Sequence, residues 1–169
     1  MPSRILVAYL SKKGSTAEIA GVIAAELGRA HFFVDTAAME EVTSLDDYNA
    51  VILGVPVYTG RIMGELALFA GRNREALSRI PVAGFVVGIA PVFPQAGDAG
   101  TFTGQFRAAL QPVTPVDVTM FAGVLDAKKL SFVERGLTSL LKVPTGDFRN
   151  QDAIAAWARG LTEKMGLFT

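Results

Sequence analysis

Three hydroxyl side chains and a glycine lie together where the first apolar run of the chain gives way to a helical pattern. Residues 10–16 read Leu-Ser-Lys-Lys-Gly-Ser-Thr. Gly14 allows a tight turn and a close approach of the backbone, and Ser11, Ser15 and Thr16 offer hydroxyl donors. The start of a helix adds free backbone N–H groups and the positive end of its dipole. The sequence therefore predicts a site for a phosphate group in this loop.

A structural role competes for the same residues. Ser15-Thr16-Ala17-Glu18 matches a capping box, in which Ser15 begins the helix and Glu18 reaches back to it. Capping does not explain why three hydroxyls and a glycine follow the first strand, so the phosphate interpretation is preferred. Neither the P-loop motif G-x-x-x-x-G-K-[ST] nor the dinucleotide motif G-x-G-x-x-G occurs in the sequence, which argues against both of those nucleotide sites.

Apolar runs alternate with helical patterns along the chain, which predicts an α/β fold. Strands are predicted at residues 5–10, 32–34, 50–55, 82–90 and 116–124. Helical patterns cover residues 19–27, 64–78, 101–110 and 153–165. Such an alternation favours a doubly wound, five-stranded parallel sheet with helices on both faces.

Two doubly wound strand orders fit this pattern equally well. In the order 2-1-3-4-5 the chain reverses its direction between strands 1 and 3. Residues 10–16 and 56–63 then flank one crevice at the carboxyl ends of these strands, where open α/β sheets bind their ligands. This crevice is the ligand site that the pattern best supports.

Composition limits the classes of function. The 169 residues fit one domain, and 16 basic residues balance 16 acidic ones, which argues against nucleic acid as the main partner. Cysteine is absent and His31 is the sole histidine, so thiolate chemistry is excluded and no metal site is expected. The longest apolar run, residues 82–93, is too short to span a bilayer, so we expect a cytoplasmic protein without a transmembrane segment.

Two stretches in the expected order resemble the flavodoxin family. Ser11-x-x-Gly14-Ser15-Thr16 is similar to the loop with which flavodoxins bind the phosphate of flavin mononucleotide (FMN). Residues 47–58, Asp-Tyr-Asn-Ala-Val-Ile-Leu-Gly-Val-Pro-Val-Tyr, are similar to the third strand of that family and its flavin-contacting loop. The resemblance implies a flavodoxin-like fold over residues 1–169, the order 2-1-3-4-5 and FMN as cofactor.

The same resemblance implies a set of cofactor-binding residues. Those expected to hold the phosphate are Ser11, Lys13, Gly14, Ser15 and Thr16. Those expected to line the isoalloxazine ring are Pro56, Val57, Tyr58, Thr59 and Gly60. The loop of residues 90–97 would close over the ring through Ala90, Pro91 and Phe93. No catalytic residue is assigned.

The chain departs from an electron-carrying flavodoxin in two ways. Such carriers are typically acidic, whereas this chain is neutral and Arg61 follows the flavin-contacting loop. A cation there favours the reduced, anionic flavin, although pairing with Glu65 at i+4 is the alternative. The second departure is the extra segment of residues 125–151, which carries an apolar helical stripe beside Lys128, Lys129, Arg135 and Lys142.

This segment narrows the resemblance further. Residues 128–132, Lys-Lys-Leu-Ser-Phe, and the stretch 146–154 resemble the flavodoxin-domain group that includes the menaquinone-dependent protoporphyrinogen oxidase of bacterial haem synthesis. The resemblance implies an FMN-dependent oxidoreductase with a porphyrinogen and a quinone as partners. The segment is then either a helix packed on the core or a basic element that touches the inner face of the membrane or covers an apolar substrate.

Two alternatives to the enzyme remain open. The first is an electron carrier without a substrate of its own. The second is a non-catalytic module with the same fold.

Overall fold

A central sheet lies between two layers of helices in a computed structural model, which describes residues 2–10, 14–58, 60–125, 136 and 146–169. The strands are β1 (Arg4–Tyr9), β2 (Phe33–Ala38), β3 (Ala50–Tyr58), β4 (Arg61–Ile62), β5 (Val82–Gly88), β6 (Asp117–Ala122), β7 (Val124–Leu125) and β8 (Gly146–Asp147). The helices are α1 (Ser15–Arg29), α2 (Glu65–Arg72), α3 (Arg74–Leu77), α4 (Ala99–Leu110) and α5 (Gln151–Lys164). Among the described residues, no helix is both long and apolar enough to cross a membrane.

The five long strands run in parallel in the order β2-β1-β3-β5-β6, and β4 adds to β3 as an antiparallel neighbour. Counted as the five strands predicted from the sequence, this is the order 2-1-3-4-5, so the predicted fold class is confirmed. Arg4 of β1 is in register with Phe33 of β2, and Ile5 of β1 with Ala50 of β3. The first strand therefore has a parallel neighbour on each side and lies inside the sheet.

Each face of the sheet buries its own apolar cluster. On one face, α2 and α4 cover the sheet, and Leu66, Phe69 and Phe106 are fully buried there. On the other face, α1 and α5 bury Ile23 and Ile154. Burial on both faces explains the continuous apolar runs of β1, β3 and β5, because residues 5–8, 50–56 and 82–87 are all buried.

Two glycines let aromatic rings lie directly against the sheet. A Cβ atom at Gly54 would lie 2.0 Å from Cζ of Phe85. A Cβ atom at Gly84, on the opposite face, would lie 2.2 Å from Cε1 of Phe106. Phe85 also packs against Phe121, with their ring centroids 6.2 Å apart. Any larger residue at either glycine must therefore displace a buried ring.

The last helix is fixed on the edge strand β6 by a polar contact. The indole Nε1 of Trp157 donates to Oδ2 of Asp117 at 2.9 Å, and Nζ of Lys164 lies 3.2 Å from the same oxygen. Burial by itself would raise the pKa of Asp117, but these two hydrogen bonds outweigh it and hold the pKa below the usual value. Trp157 is half-buried and bridges helix and strand.

The structure corrects several predicted boundaries. The predicted helix over residues 64–78 is two helices, because the chain leaves helical geometry at Asn73, whose Nδ2 donates to the carbonyl oxygen of Phe69 at 2.9 Å. The last helix begins earlier, since Oδ1 of Asn150 accepts from the N–H of Ala153 at 3.0 Å and caps it. The second strand extends to Ala38, because it is an exposed edge that tolerates polar residues.

Two short strands, β7 and β8, pair within the predicted extra segment, residues 125–151, and at its start. Val124 is in register with Asp147, and the N–H of Phe148 donates to the carbonyl oxygen of Gly123 at 3.0 Å. The guanidinium of Arg149 then holds Asp147, with Nε 2.9 Å from Oδ1 and Nη2 2.6 Å from Oδ2. The predicted apolar stripe with Lys128, Lys129, Arg135 and Lys142 lies outside the described residues.

Replacing Gly84 by alanine should destabilise the protein. The added methyl group would press on the ring of Phe106, and overpacking of this kind costs about 1–3 kcal/mol of unfolding free energy. Gly104 in α4 has nothing within 4 Å of the corresponding position, so Gly104→Ala should stabilise by about 0.5–1 kcal/mol. Urea unfolding of both variants measures the difference. Equal effects at the two sites would mean that the ring of Phe106 moves aside freely.

The contact between Arg149 and Asp147 should be visible in acid. Hydrogen bonds from Arg149 lower the pKa of Asp147 from 3.8 to about 2. A lowered carboxyl pKa gives stability that is present above 3.8 and is lost as the pH falls toward 2. Arg149→Gln should return the Asp147 pKa to near 3.8, as measured by an NMR titration of the carboxyl carbon. Arg159→Gln, which removes a partner of Glu26 instead, should leave the Asp147 pKa unchanged.

Candidate functional site

The carboxyl ends of the three central strands meet at one edge of the sheet. Tyr9 at the end of β1 is in register with Gly54, and Gly54 with Phe85 of β5. The three loops that follow these strands therefore leave the same edge of the sheet. They are the loop before α1, the turn between β3 and β4, and residues 89–98, which are the three loops predicted to surround a ligand.

The start of α1 has backbone geometry that suits an anion. Gly14 has φ 89°, in the left-handed region that favours glycine, and it is the N-cap of the helix. Gly14 offers no side chain to cap α1, and the N–H of Glu18 donates to the carbonyl oxygen of Gly14 at 3.2 Å. The positive end of the helix dipole therefore faces the turn at Gly14.

This geometry removes the capping-box alternative. Ser15 is the first helical residue and not the N-cap, and Glu18 binds Arg149 instead of reaching back. Thr16 is buried, and Ser15 is half-buried beside the end of β6. Two of the predicted phosphate residues, Ser11 and Lys13, lie outside the described residues.

The second loop is a tight β-hairpin. Val57 pairs with Ile62 and Tyr58 with Arg61, and Gly60 at the turn has φ 78°. The N–H of Ile62 donates to Oε1 of Gln105 at 3.2 Å, so α4 holds the hairpin from below. The hairpin is therefore held against α4 at the edge of the sheet.

The predicted flavin-contacting residues differ in their exposure. Val57 and Tyr58 are half-buried and Gly60 is exposed, whereas Thr59 lies outside the described residues. Pro56 is buried within β3, in register with Val87. Pro56 therefore supports the hairpin from inside the sheet.

Arg61 is exposed beside this turn, and within the described part of the chain it forms no ion pair. The alternative that pairs Arg61 with Glu65 is wrong. Arg61 belongs to β4 and Glu65 to α2, so the i+4 geometry of one helix does not apply to them. A cation is thus available at the mouth of the crevice.

The third loop folds back over the end of β5. The N–H groups of Val92 and Phe93 both donate to the carbonyl oxygen of Ile89, at 2.9 and 2.8 Å. Ala90 is buried, Pro91 is exposed and Phe93 is half-buried. The loop therefore turns Ala90 inward and presents Pro91, with part of Phe93, to the surface.

Sequence reasoning assigned no role to two residues that shape the phosphate loop. Gly123, after β6, is buried, and a Cβ atom there would lie 3.4 Å from Oγ of Ser15 and 2.6 Å from Cγ1 of Val87. Arg149 reaches Glu18 in the first turn of α1 through a hydrogen bond from Nη1 to Oε2. The glycine is an available signal, whereas nothing in the sequence links Arg149 to a residue 131 positions away.

A cavity of about 400 Å³ adjoins the end of β1 on the side of β2. Its lining includes Tyr9, Leu10 and Met39, with the carboxylates of Glu40 and Glu65 at its rim. Within the described ranges, no group of three His, Asp or Glu side chains is arranged to hold a metal ion.

Comparison with known proteins shows which family and which solved structures this chain resembles. The model of the Flavodoxin domain family matches residues 6–152. No curated protein matches the chain. Among solved structures, a short-chain flavodoxin associated with a non-canonical PDU bacterial microcompartment superposes with a TM-score of 0.64 at 13% identity, covering 96% of this chain and 99% of that one.

Two further flavodoxins have the same fold. Oxidised flavodoxin 1 of Bacillus cereus gives a TM-score of 0.60 at 13% identity and covers 97% of each chain. The two-electron reduced flavodoxin of Megasphaera elsdenii gives 0.56 at 18% identity, covering 69% of this chain and 84% of that one. Flavodoxins bind FMN, in agreement with the cofactor predicted from the sequence. Since the family model spans most of its length, the chain belongs to the flavodoxin domain family.

Proposed function

We propose that the chain is an FMN-dependent oxidoreductase that binds the FMN phosphate at the start of α1. The observation that carries the proposal is the turn at Gly14: a left-handed glycine that begins α1 soon after the carboxyl end of the buried strand β1. The start of a helix favours a phosphate through its N–H groups and its dipole. Ser11, Lys13, Ser15 and Thr16 would complete this half of the site.

The ring half of the proposed site lies between the other two loops. Val57, Tyr58, Thr59 and Gly60 on one side and residues 90–97 on the other would hold the isoalloxazine and exclude water from it. The hydrogen bond from Ile62 to Gln105 keeps the first wall in place. The flavin supplies the redox chemistry when it is bound, and the protein orients it and controls access.

Charge at the mouth of the crevice supports an enzyme over a simple carrier. The chain has no net charge, and Arg61 is exposed beside the proposed ring site. A cation there stabilises negative charge on a reduced flavin and helps to draw in an anionic substrate. We propose a porphyrinogen, whose carboxylates suit such a cation, as the electron donor and a quinone as the acceptor.

An electron carrier remains the second candidate, because its support is the family itself. The chain belongs to a family of FMN-binding electron-transfer proteins, and the solved structures described above are flavodoxins. A carrier needs only the cofactor site, whereas the enzyme also needs a place for its substrates. We propose that residues 126–145 provide this access, to a quinone, a porphyrinogen or an anionic membrane surface.

Purified protein should contain one FMN and no tightly bound FAD, because the loop offers a cradle for a single phosphate. Thr16→Val, which keeps the shape of the side chain, should weaken FMN binding by about 1–3 kcal/mol through the loss of a hydrogen bond to a charged acceptor. Thr103→Val in α4 removes a hydroxyl that donates to Gly100 and should leave FMN binding unchanged. Calorimetric titration with FMN measures both variants.

Three results would count against this site. Recovery of FAD as the only tight ligand would contradict the single-phosphate cradle. A chain that binds no flavin would favour the non-catalytic module. If Thr16→Val lowers the melting temperature while FMN affinity stays the same, the hydroxyl serves the helix alone.

Removing residues 126–145 should separate the enzyme from the carrier. Leu125 and Gly146 are neighbours in the β7–β8 pair, so a short glycine-rich turn can join them and leave Arg149 in place. We expect the shortened chain to retain FMN, while oxidation of protoporphyrinogen with a quinone, or binding to anionic vesicles, falls. Loss of FMN or of folding would make the segment part of the core, and retention of every activity would favour the carrier.

A further inference from the structure

The first turn of α1 places a carboxylate beside the proposed phosphate site. Oε1 of Glu18 lies 4.0 Å from the position of a Cβ atom at Gly14, and the side chain is 55% exposed. A negative charge at this position repels an incoming phosphate. It also competes with the phosphate for the positive end of the helix.

Arg149, 131 residues further along the chain, forms an ion pair with this carboxylate. Its Nη1 donates to Oε2 of Glu18, and its Nε and Nη2 donate to Asp147 at 2.9 and 2.6 Å. The Arg149 side chain is only 18% exposed, less than either carboxylate. The hydrogen bonds to Asp147 raise the pKa of Arg149 further, so the guanidinium stays charged.

The backbone around Arg149 is fixed to the same site. The N–H of Phe148 donates to the carbonyl oxygen of Gly123, and Gly123 lies against Ser15, the first residue of α1. Asp147 belongs to β8, which pairs with β7 directly after Gly123. The backbone next to Arg149 is therefore hydrogen-bonded to Gly123, which contacts the start of α1, where Glu18 lies.

We propose that Arg149 is a positioning residue of the phosphate site, which holds the carboxylate of Glu18 aside and cancels its charge so that the phosphate of FMN can bind at the Gly14 turn. This inference rests on the proposed location of FMN. Without Arg149, two carboxylates near the loop lack their cation. Both the repulsion and the competition then act on FMN, and neither acts on riboflavin, which lacks the phosphate.

The test compares the dissociation constants of FMN and riboflavin, measured by flavin fluorescence in the full chain. Arg149→Gln should weaken FMN about three- to tenfold, the effect of one unscreened charge at this range, and leave riboflavin unchanged. The loss should shrink at high salt, because salt screens exposed charges. Arg149→Lys, which keeps the charge, should restore part of the affinity, and adding Glu18→Gln to Arg149→Gln should restore most of it.

Arg159→Gln is the matched control. Arg159 of α5 also pairs with a glutamate of α1, since its Nη1 lies 2.8 Å from Oε1 of Glu26. Glu26 lies about 12 Å further along the helix than Glu18, at about 1.5 Å per residue. Its variant should therefore leave the ratio of FMN to riboflavin affinity unchanged, whatever it does to stability.

The possible outcomes separate this inference from the proposed function. If the unmodified chain does not prefer FMN to riboflavin, the proposed phosphate site is wrong. If it does prefer FMN, but Arg149→Gln weakens both ligands equally or neither, the positioning role is wrong and the site remains. Should Arg149→Gln fail to fold, Glu18→Gln alone decides: equal or tighter FMN binding supports the role, and weaker binding overturns it.

Discussion

The position of β1 inside the sheet is the constraint on which the site depends. Its residues 5–8 are buried on both faces and pair in parallel with β2 on one side and β3 on the other. The crossover from β1 to β2 and the crossover from β3 to β5 pass over opposite faces, so α1 lies on one face and α2 on the other. A crevice between the two layers therefore opens at the loop that leaves β1, and the hairpin after β3 forms its second side.

The elements with strong periodicity were predictable from the sequence. The central strands β1, β3 and β5 read as apolar runs because both of their faces are buried, and the resemblance of residues 11–16 and 47–58 supplied the strand order that pattern alone left open. The two-residue strands β4, β7 and β8 carry no such signal, since a pair of residues has no period. Asn73 ends α2 through a hydrogen bond from its side chain to the carbonyl oxygen of Phe69. The apolar stripe of residues 66–77 continues past this point, so the sequence pattern does not reveal the break.

The site was predictable in its location and not in its electrostatics. The loop residues pointed to an anion because glycine and hydroxyls followed a buried strand, and the structure gives Gly14 the backbone conformation that only glycine adopts readily. The capping-box alternative for Glu18 is wrong, because such a box is defined by local spacing alone. Its actual partner, Arg149, is 131 residues distant in sequence, and only the fold brings the two together.

The joining of α1 to the last part of the chain has a consequence for the order of events during synthesis. Ile23 of α1 shares its buried cluster with Ile154 and Leu161 of α5, and α5 leaves the ribosome after β1–β8 and α1–α4. Until α5 emerges, the part of α1 that packs on α5 is uncovered, although β1 and β3 already cover the rest of its apolar face. The nascent chain thus carries a partly exposed hydrophobic helix until α5 is made, and chaperones that recognise such surfaces can act there.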